Sequence, residues 1–365
     1  MTTVQDLRGR IVDCDSHLYI TPSQMKSAVG EEFAARYARL ASAAFGDRDP
    51  EQQSAGVELD AENVWTLKDW ASPGSFDAVR RIETIDLFGV QRQMIGPDGL
   101  FSSIAGTRMP GVAEAVRRYN EWILDWARPS GGRLRPTAIL PMHDVETAIA
   151  DAQRIAAAGG HAVSASCSRP PAGLSPADPA WDPLWTVLAE AGLPVIFHIG
   201  SESGFLDKAW SKAEHLAGGE LDPFSMATGW LAPQTYLTTL LLGGVLERHP
   251  GLRIGVMELT AQWIGPFAEM LDHRVDVESR KLSRYLSLRP SEYISRQVRL
   301  TPYWWEPVDV YIERFGLADV YCFATDFPHS EGGLDPLNTL HARVQRLGDD
   351  VVEKVFVRNG EALCP

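Results

Sequence analysis

Five short segments of this chain each end at a residue that can bind a metal ion. In sequence they read IVDCDSH, LPVIFH, LRIGVME, VYCFATD and DFPH. An apolar run is typical of a parallel strand buried on both faces, and a polar residue at its carboxyl end is typical of the active site of a (β/α)8 barrel. The pattern predicts a metal centre with mixed oxygen and nitrogen ligands. The candidate ligands are Asp15, His17, His198, Glu258, Asp326 and His329.

Each of these residues has a simpler explanation when it is taken alone. Side chains alternate along a strand, so residues 13, 15 and 17 would share one face, but a Ser-His pair after an acid could equally cap a turn. A single histidine that ends an apolar strand, such as His198, is more often part of the core. Glu258 could form a salt bridge, because a buried charge needs a partner. Convergence from four strands favours the metal centre.

The loop FPHSEGG after the last strand ends in two glycines and could turn His329 back toward the metal. Glu331 in this loop is a candidate ligand, or a partner that orients a ligating histidine. Asp326 and Glu258 are also the candidate catalytic residues, and Asp326 could act as a proton shuttle.

Six ligands exceed what one zinc ion needs. Mixed carboxylate and imidazole ligation suits iron or manganese, with enough carboxylates for two ions.

The rest of the chain alternates between strand and helix signals, which predicts an α/β fold with a parallel sheet. Asp144–Ala158, for example, has apolar residues near helical spacing, a plausible N-cap and two glycines at its end. Eight candidate strands match the number in a closed (β/α)8 TIM barrel, and we expect residues 1–365 to form one such domain. The candidate strands are Ile11–Asp15, Gln91–Ile95, Thr137–Pro141, His161–Ser166, Pro194–His198, Ile254–Glu258, Val298–Tyr303 and Val320–Thr325.

Three stretches are too long to be simple connections: residues 273–297 before the seventh strand, and residues 22–74 after the first strand and 200–235 after the fifth. Long loops in compact domains are usually functional or disordered. The last two follow the carboxyl end of a strand, so we expect them to form a lid over the C-terminal face of the barrel. The lid would contact substrate or merely cover the barrel. The candidate contacts are Trp65, Trp70, Trp210 and Trp230.

The composition of the chain argues against several classes of binding partner. The chain has 365 residues and a net charge of −14, which argues against binding to nucleic acid. We expect neither a membrane span nor a signal peptide, because no apolar run is long enough and the first residues are polar. The four cysteines have no CxxC spacing, which is typical of a reduced cytoplasmic protein, and Cys14 and Cys322 lie in candidate strands as buried small residues. The oligomeric state stays open, a homo-oligomer included.

A local excess of basic residues lies between residues 271 and 300. The simpler interpretation is a solvated helix face, because acidic residues are interleaved at helical spacing. The functional interpretation is that Arg280, Lys281 and Arg284 bind the phosphates of a CoA-type carrier, a geometry that suits arginine.

At its strand ends the chain resembles the amidohydrolase-related family of TIM barrels, in the branch that includes aminocarboxymuconate-semialdehyde and resorcylate decarboxylases. Further shared motifs are WDPLW before GLPV, HPGL before the sixth strand, Trp263 after it, and NGEAL at the end of the sequence. The resemblance covers most of the chain. It implies a TIM barrel with a metal site at the carboxyl ends of the strands.

Two departures from that branch stand out. The branch has an HxH motif on strand 1, where this chain has Asp15-Ser16-His17, and a histidine at the end of strand 6, where it has Glu258. The fourth strand also lacks the lysine that bridges two metals in related hydrolases. The carboxylate-enriched set resembles that of the TIM-barrel nonheme diiron monooxygenases.

This second resemblance implies two Fe ions held by the six ligands, with O2 and an electron donor as further reactants. The reaction would hydroxylate a C–H bond of a hydrophobic substrate, with a CoA thioester among the candidates. The alternative is a decarboxylase or hydrolase that uses one Zn or Mn ion and acts on a carboxylated small molecule. A third hypothesis is a binding barrel without catalysis.

Overall fold

The fold is built around one parallel sheet. The computed structural model describes residues 2–45, 50–213 and 223–365. In these ranges seven parallel strands pair in sequence order, each with the next. The strands are Ile11–Asp13 (β1), Val90–Ile95 (β2), Leu134–Ile139 (β3), Ala162–Ser164 (β4), Val195–His198 (β5), Ile254–Met257 (β6) and Val298–Leu300 (β7).

Residues 320–327 link the two edges of this sheet and so take the place of an eighth strand. On one side, Leu300 of β7 forms a parallel bridge with Tyr321. On the other, Cys14 N donates to Phe323 O at 3.0 Å, and Ser16 bridges Phe327. The predicted TIM barrel is confirmed. Its eighth strand, predicted over Val320–Thr325, is a set of isolated bridges and not a regular ladder.

The strand predictions are correct to within a few residues, and most of them extend too far at the carboxyl end. β1 stops at Asp13 and β7 at Leu300, whereas the apolar pattern continues for two and three residues. The chain leaves the sheet there because the ligand-type residues turn into the mouth of the barrel. The α-helices are Val4–Leu7, Pro22–Val29, Glu31–Phe45, Pro50–Gln53, Ala78–Phe88, Gly99–Ala105, Val112–Ala127, Val145–Ala157, Asp182–Glu190, Pro223–Thr228, Leu231–Leu242, Val245–Arg248, Ile264–Val277, Ser279–Leu282, Pro290–Gln297, Val308–Phe315, Pro336–Val344, Asp349–Glu353 and Asn359–Leu363.

Single turns of helix connect several of these elements. They are the 3-10 turns Asp69–Ala71, Pro73–Ser75, Arg128–Ser130, Pro171–Gly173, Pro179–Trp181, Lys208–Ser211, Ser330–Gly332 and Gln345–Leu347, and the π-turn Lys354–Arg358. None of the helices in the described ranges is both long and apolar enough to cross a membrane.

Local sequence signals account for the helix after β3. The side chain of Asp144 accepts a hydrogen bond from Thr147 N at 2.8 Å, which satisfies a free N–H group of the first turn. Gly159 follows the last turn with a φ of 77°, a conformation that glycine adopts without strain. The predicted helix Asp144–Ala158 is therefore confirmed as Val145–Ala157.

The predicted lid segments have helices of their own. Residues 22–74 contain the helices Pro22–Val29 and Glu31–Phe45, and the first begins with a capping box at Thr21. Residues 200–235 overlap the helix Leu231–Leu242, so the connection after β5 ends earlier than predicted. Residues 214–222 of this segment lie outside the described ranges.

The inside of the barrel below the mouth is packed with small and flexible apolar side chains. Cys14 and Cys322 are both fully buried, as predicted, and both belong to this cluster. Leu363 and Cys364 from the end of the described chain contribute as well. The cluster is Val12, Cys14, Met94, Ala162, Ile196, Met257, Cys322, Leu363 and Cys364.

Asp13 does not share the face of Asp15 and His17, contrary to the alternation expected from the sequence. Its neighbours Val12 and Cys14 point into the barrel, so Asp13 faces the helix layer. There it accepts hydrogen bonds from Gln93 Nε2 at 2.7 Å and Thr325 Oγ1 at 2.6 Å.

These bonds join β1 to the segments on both of its sides. Asp13 also accepts from Thr325 N at 3.0 Å. Burial raises the pKa of Asp13 to about 6, although its hydrogen bonds oppose the shift. Arg81, which is fully buried on the helix Ala78–Phe88, donates to Gln93 Oε1 at 3.0 Å and to the carbonyl oxygen of His17. The network ties the first strand, the second strand and residues 320–327 together beneath the mouth.

We expect Asp13→Ala to lower the free energy of unfolding by about 2–4 kcal/mol, because it leaves several buried donors without an acceptor. Asp13→Asn should cost less, since one oxygen remains. Urea unfolding of the metal-free protein measures both variants. Asp125→Ala, at a carboxylate whose side chain is 66% exposed, is the control and should stay within about 0.5 kcal/mol of wild type. An Asp13→Ala effect no larger than that of the control would contradict the role of the network.

Candidate metal centre

The six predicted ligands come together at the mouth of the barrel. They form two overlapping groups of four residues. Within each group the ligand atoms lie within 4.8 Å of one another. His17 and Glu258 belong to both groups. The first group adds Asp15 and His198, and the second adds Asp326 and His329.

The distances between ligand atoms are those expected around a single ion. His17 Nε2 lies 3.5 Å from Asp15 Oδ1, 3.7 Å from Glu258 Oε2 and 3.1 Å from Asp326 Oδ1. His198 Nε2 lies 3.5 Å from Asp15 Oδ1 and 2.9 Å from Glu258 Oε2. Two ligands bound at about 2.1 Å to one ion are separated by about 3.0 Å at a right angle and about 3.4 Å in a tetrahedron. Asp15, His17, His198 and Glu258 therefore surround a volume that one cation can fill, and Asp326 and His329 meet His17 and Glu258 beside it.

Several buried atoms in this cluster have no hydrogen-bond partner. His198 Nε2 is close to Glu258 Oε2, yet the angle does not allow a hydrogen bond. Buried polar atoms in native proteins are nearly always hydrogen-bonded, so a group of them without partners that face one point indicates an ion. The unpartnered atoms are His17 Nε2, His198 Nε2, Glu258 Oε1, Glu258 Oε2 and Asp326 Oδ2.

Neighbouring residues orient the ligands. His198 Nδ1 lies 2.9 Å from Ile199 O and donates to it, which leaves Nε2 free for a metal. Thr301 Oγ1 donates to Asp15 Oδ2 at 3.3 Å and accepts from Glu258 N at the same distance. Tyr303 OH donates to Glu258 O at 3.0 Å. Thr301 and Tyr303 follow β7, so this strand positions two ligands without supplying one.

The backbone at two of the ligands is strained. Glu258 has a φ of 55° and Asp326 a φ of 51°, in the left-handed region that residues with a side chain rarely adopt. Strain of this kind costs about 1–3 kcal/mol and tends to occur at functional sites. Here it turns each carboxylate from the end of its strand into the mouth of the barrel.

The cluster concentrates negative charge in a buried place. Within the described ranges, the ion-pair partners of Asp15, Glu258 and Asp326 are all histidines. Burial and the charge of Asp326 raise the pKa of Glu258. Burial likewise raises the pKa of Asp326, against the opposing charge of His329. A bound cation would supply the positive charge that these carboxylates lack.

The imidazoles differ in their protonation. Burial, with the neighbouring His329 and His198, holds the pKa of His17 well below its ordinary value, so His17 is neutral and ready to bind a metal. Burial also lowers the pKa of His198, but Asp15 and Glu258 outweigh it and the net pKa is raised. The same two carboxylates would favour a cation at His198 Nε2.

His329 is bound to Asp326 more directly than to the other ligands. Its Nδ1 lies 2.9 Å from Asp326 Oδ1, and its ring stacks on His17 with 4.0 Å between the ring centres. Burial lowers the pKa of His329, but the charge of Asp326 outweighs it and raises the pKa to about 9. His329 also lines the cavity above the ligands.

All of the predicted ligands except Asp326 form part of the wall of a cavity of about 1180 Å³. Trp70 and Tyr19 line it beside His329, with 5.2 Å between the rings of Trp70 and Tyr19. Glu331 also lines the cavity, but none of the metal-ligand groups found among the described residues includes it. The space is large enough for a drug-sized molecule.

The four predicted lid tryptophans have different positions. Trp70 is buried and lines the cavity. Trp65 stacks on Phe88 at 3.9 Å, and Trp230 stacks on Trp263 at 6.4 Å. Trp210 is 70% exposed. Among the described lining residues only Trp70 of the four is found, so substrate contact by the other three stays a prediction without support from their positions.

The basic residues predicted to bind a CoA-type carrier lie elsewhere. Arg280 and Lys281 are on the exposed helix Ser279–Leu282, and Arg284 follows it. None of the three is among the described lining residues of the cavity. Their role in binding phosphate also stays a prediction.

Two groups of residues near the metal centre were not predicted from the sequence. Lys68 lies on the first lid segment close to Asp326 and Glu331, and burial lowers its pKa against their negative charge. Arg108 and Arg169 line the cavity on loops that carry no motif. The alternation of Ser164, Ser166 and Ser168 before Arg169 is the one signal that marked this wall as polar.

Comparisons with known proteins identify the family of the chain and solved structures with a similar fold. The model of the amidohydrolase family matches residues 12–364. A search of curated proteins found no match. A solved amidohydrolase from Mycobacterium avium subsp. paratuberculosis K-10 is 21% identical, with a TM-score of 0.72 and coverage of 98% of both chains.

Two further solved structures are decarboxylases. The 2,6-dihydroxybenzoate decarboxylase from Rhizobium is 16% identical, with a TM-score of 0.63 and coverage of 97% of this chain and 98% of its own. The 5-carboxyvanillate decarboxylase from Novosphingobium aromaticivorans DSM 12444, complexed with manganese and 4-hydroxy-3-methoxy-5-nitrobenzoic acid, is 16% identical, with a TM-score of 0.63 and coverage of 97% and 95%. At these identities the likeness shows a shared fold.

The prediction of a nonheme diiron monooxygenase is wrong. The solved neighbours whose activity is named are decarboxylases, and the metal named with one of them is manganese. Nothing in these comparisons supports two Fe ions, O2, an electron donor or a CoA thioester. The error came from the exchange of imidazoles for carboxylates at Asp15 and Glu258, because such ligands suit manganese as well as iron.

We expect His198→Ala and Glu258→Gln each to weaken binding of Mn²⁺ by more than about tenfold, because each removes an atom that faces the ion. Titration calorimetry gives the affinity. The rise in Tm on addition of Mn²⁺, which follows from binding to the folded state alone, should shrink in parallel. Glu361→Gln, at an exposed carboxylate paired with Arg92, is the control. Wild-type affinity in both site variants would contradict the assignment of the centre.

Proposed function

The chain belongs to the amidohydrolase family, and on that premise we propose that it is a decarboxylase that uses one divalent metal ion, manganese, and acts on a carboxylated small molecule. The observation that carries the proposal is the set of buried, unpartnered ligand atoms in the wall of a cavity of about 1180 Å³. Such a site binds an ion firmly and leaves one side of it open to a substrate.

Five residues would hold the ion, and one would remain for proton transfer. Their distances of 2.9–3.7 Å fit one ion of manganese or zinc size. A bound ion of this kind polarises a substrate carboxylate and fixes its orientation. The five residues are Asp15, His17, His198, Glu258 and Asp326.

Asp326 and His329 would supply the proton. Decarboxylation breaks a bond between carbon and the carboxylate and forms a C–H bond, so the reacting carbon must receive one proton. His329 is hydrogen-bonded to Asp326 at 2.9 Å and lines the cavity. A protonated imidazole held by a carboxylate is a suitable general acid. Tyr19 and Trp70 line the adjacent wall and would keep water away from the reacting carbon.

The named relatives support this choice of reaction. Two of the solved neighbours are decarboxylases of substituted benzoates, and one of these is complexed with manganese and a nitrobenzoic acid. Their substrates combine a carboxylate with an aromatic ring, which would suit a cavity with a cation at one end and Trp70 and Tyr19 in its wall.

A second candidate is a metal-dependent hydrolase. The family description and the neighbour from Mycobacterium avium both name an amidohydrolase. In that reaction the ion would lower the pKa of a bound water, and Asp326 would accept its proton. The two candidates differ in product, because only decarboxylation releases CO2.

We expect the protein loaded with Mn²⁺ to release CO2 from at least one hydroxylated benzoate, at the same rate with and without O2. 2,6-Dihydroxybenzoate and 5-carboxyvanillate are the first compounds to test. The ion content, measured on the same sample, should be one per chain. Hydrolysis of amides or lactones without CO2 release would favour the second candidate, and two ions per chain would contradict the single-ion centre.

His329→Asn should lower kcat by about 10²–10⁴-fold, because it removes the general acid. Binding of Mn²⁺ should change by less than about threefold, since His329 is not one of the five ligands in this proposal. The control is His273→Asn, at an exposed position on the helix Ile264–Val277. Loss of Mn²⁺ from His329→Asn would show that His329 is a ligand and would overturn its proposed role.

A further inference from the structure

The cavity reaches across the mouth of the barrel, and its two sides differ in chemistry. The metal ligands follow β1, β5, β6 and the segment that closes the barrel. The other side is lined by the segments that follow β2, β3 and β4. A molecule bound to the ion would therefore extend toward these three segments if it were longer than a single ring.

Each of the three segments contributes one basic side chain to the cavity wall. Arg108 comes after β2, His143 after β3 and Arg169 after β4. Arg108 lies near His143, whose pKa is lowered by burial and then by the positive charge of the arginine. The segments after β3 and β4 are joined by a hydrogen bond from Ala172 N to Met142 O at 3.1 Å. The three basic groups thus belong to one connected wall.

Neither arginine has a partner in the part of the chain that the structure describes. Among the described residues, Arg108 and Arg169 form no hydrogen bond and no ion pair through their guanidinium groups. The carboxylate on this side, Asp98, accepts from Phe101 N at 2.8 Å and Ile20 N at 3.4 Å, so it is engaged with the backbone. Both arginines are exposed to solvent, and they place two positive charges in one cavity wall of a chain with a net charge of −14.

The wall around Arg169 carries hydroxyl groups, and the nearest carboxylate known from its effect on a neighbour is Glu202, which acts on Cys167. The hydroxyl groups of Ser166 and Ser168 lie 3.0 Å apart, and Ser166 Oγ donates to Ser201 O at 2.9 Å. Gly204 of the next segment is close, since a Cβ placed on it would lie 3.9 Å from Arg169 Nη2. Arginine and hydroxyl donors around an open space suit an oxyanion such as a carboxylate or a phosphate.

We propose that Arg108 and Arg169 form a second anion site in this cavity, and that the substrate carries a second oxyanion group at the end remote from the metal. This inference rests on the proposed function, because it assumes that the first carboxylate of the substrate lies at the ion. It narrows the substrate class to molecules with two separated anionic groups. A carboxylate and a phosphate share the required chemistry.

The test compares ligands that differ by one anionic group. Titration calorimetry on the Mn²⁺-loaded protein would measure benzoate against terephthalate, and biphenyl-4-carboxylate against biphenyl-4,4′-dicarboxylate. 4′-Phosphonobiphenyl-4-carboxylate separates a preference for phosphate from one for carboxylate. We expect the dianion of at least one pair to bind about tenfold more tightly than its monoanion, an advantage that decreases with added salt.

Variants then assign the advantage to the arginines. Arg108→Gln and Arg169→Gln should each reduce it by about threefold or more and the double variant should abolish it, while affinity for the monoanion and for Mn²⁺ changes less than twofold. Arg280→Gln, on an exposed helix outside the cavity wall, is the matched control. Equal binding of monoanion and dianion by wild type in both pairs, or an advantage that survives in the double variant, would overturn the proposal.

Different results would refute the proposed function and the second anion site. Absence of Mn²⁺ binding or of CO2 release would refute the proposed function. A wild-type protein that binds Mn²⁺ and releases CO2, yet does not distinguish monoanions from dianions, would refute the second anion site alone.

Discussion

The structure depends on a concentration of buried negative charge that the protein does not neutralise by itself. Asp15, Glu258 and Asp326 meet at the barrel mouth, and their ion-pair partners in the described ranges are all histidines. Removing three carboxylates from water is costly unless a cation or protons compensate. Raised pKa values at Glu258 and Asp326 are one consequence of this cost. Atoms without hydrogen-bond partners are another, and both features are relieved by the same bound cation.

The barrel tolerates this centre because its immediate surroundings are rigid. Asp13, Gln93 and Thr325 bind one another across three neighbouring strand segments, directly behind the ligands on β1 and on residues 320–327. Below the mouth, the interior is packed with apolar side chains that exclude water. Left-handed backbone at Glu258 and Asp326 can persist only where the surrounding structure determines it. The stability of the frame and the strain at the ligands are thus parts of one arrangement.

The sequence was sufficient to predict the barrel and to bring the six ligands together, because both follow from one rule about the carboxyl ends of buried parallel strands. It failed where side chains depart from simple alternation. Asp13 faces the helices although Asp15 and His17 face the mouth, since β1 ends between them. Residues such as Thr301 and Arg169 were missed because their role depends on contacts between distant segments. The lid tryptophans Trp65 and Trp230 pack against other aromatic residues, which composition alone does not reveal.

The incorrect prediction of iron shows that a set of ligands does not by itself determine the metal or the reaction. Carboxylate and imidazole donors restrict a site to hard or intermediate metals, but they do not fix which metal binds or what reaction follows. The metal and the reaction also depend on the rest of the cavity. The relevant features are an acid within reach of the open side, such as His329, aromatic walls that exclude water, and charges that select the substrate. In this protein the wall opposite the metal carries Arg108 and Arg169 among apolar residues such as Leu140 and Met142. A wall of this kind would favour a substrate with an anionic group at each end over one with a single anionic group. The exchange of imidazoles for carboxylates at Asp15 and Glu258 is therefore compatible with more than one metal, and the residues around the open side of the cavity are needed to choose among reactions.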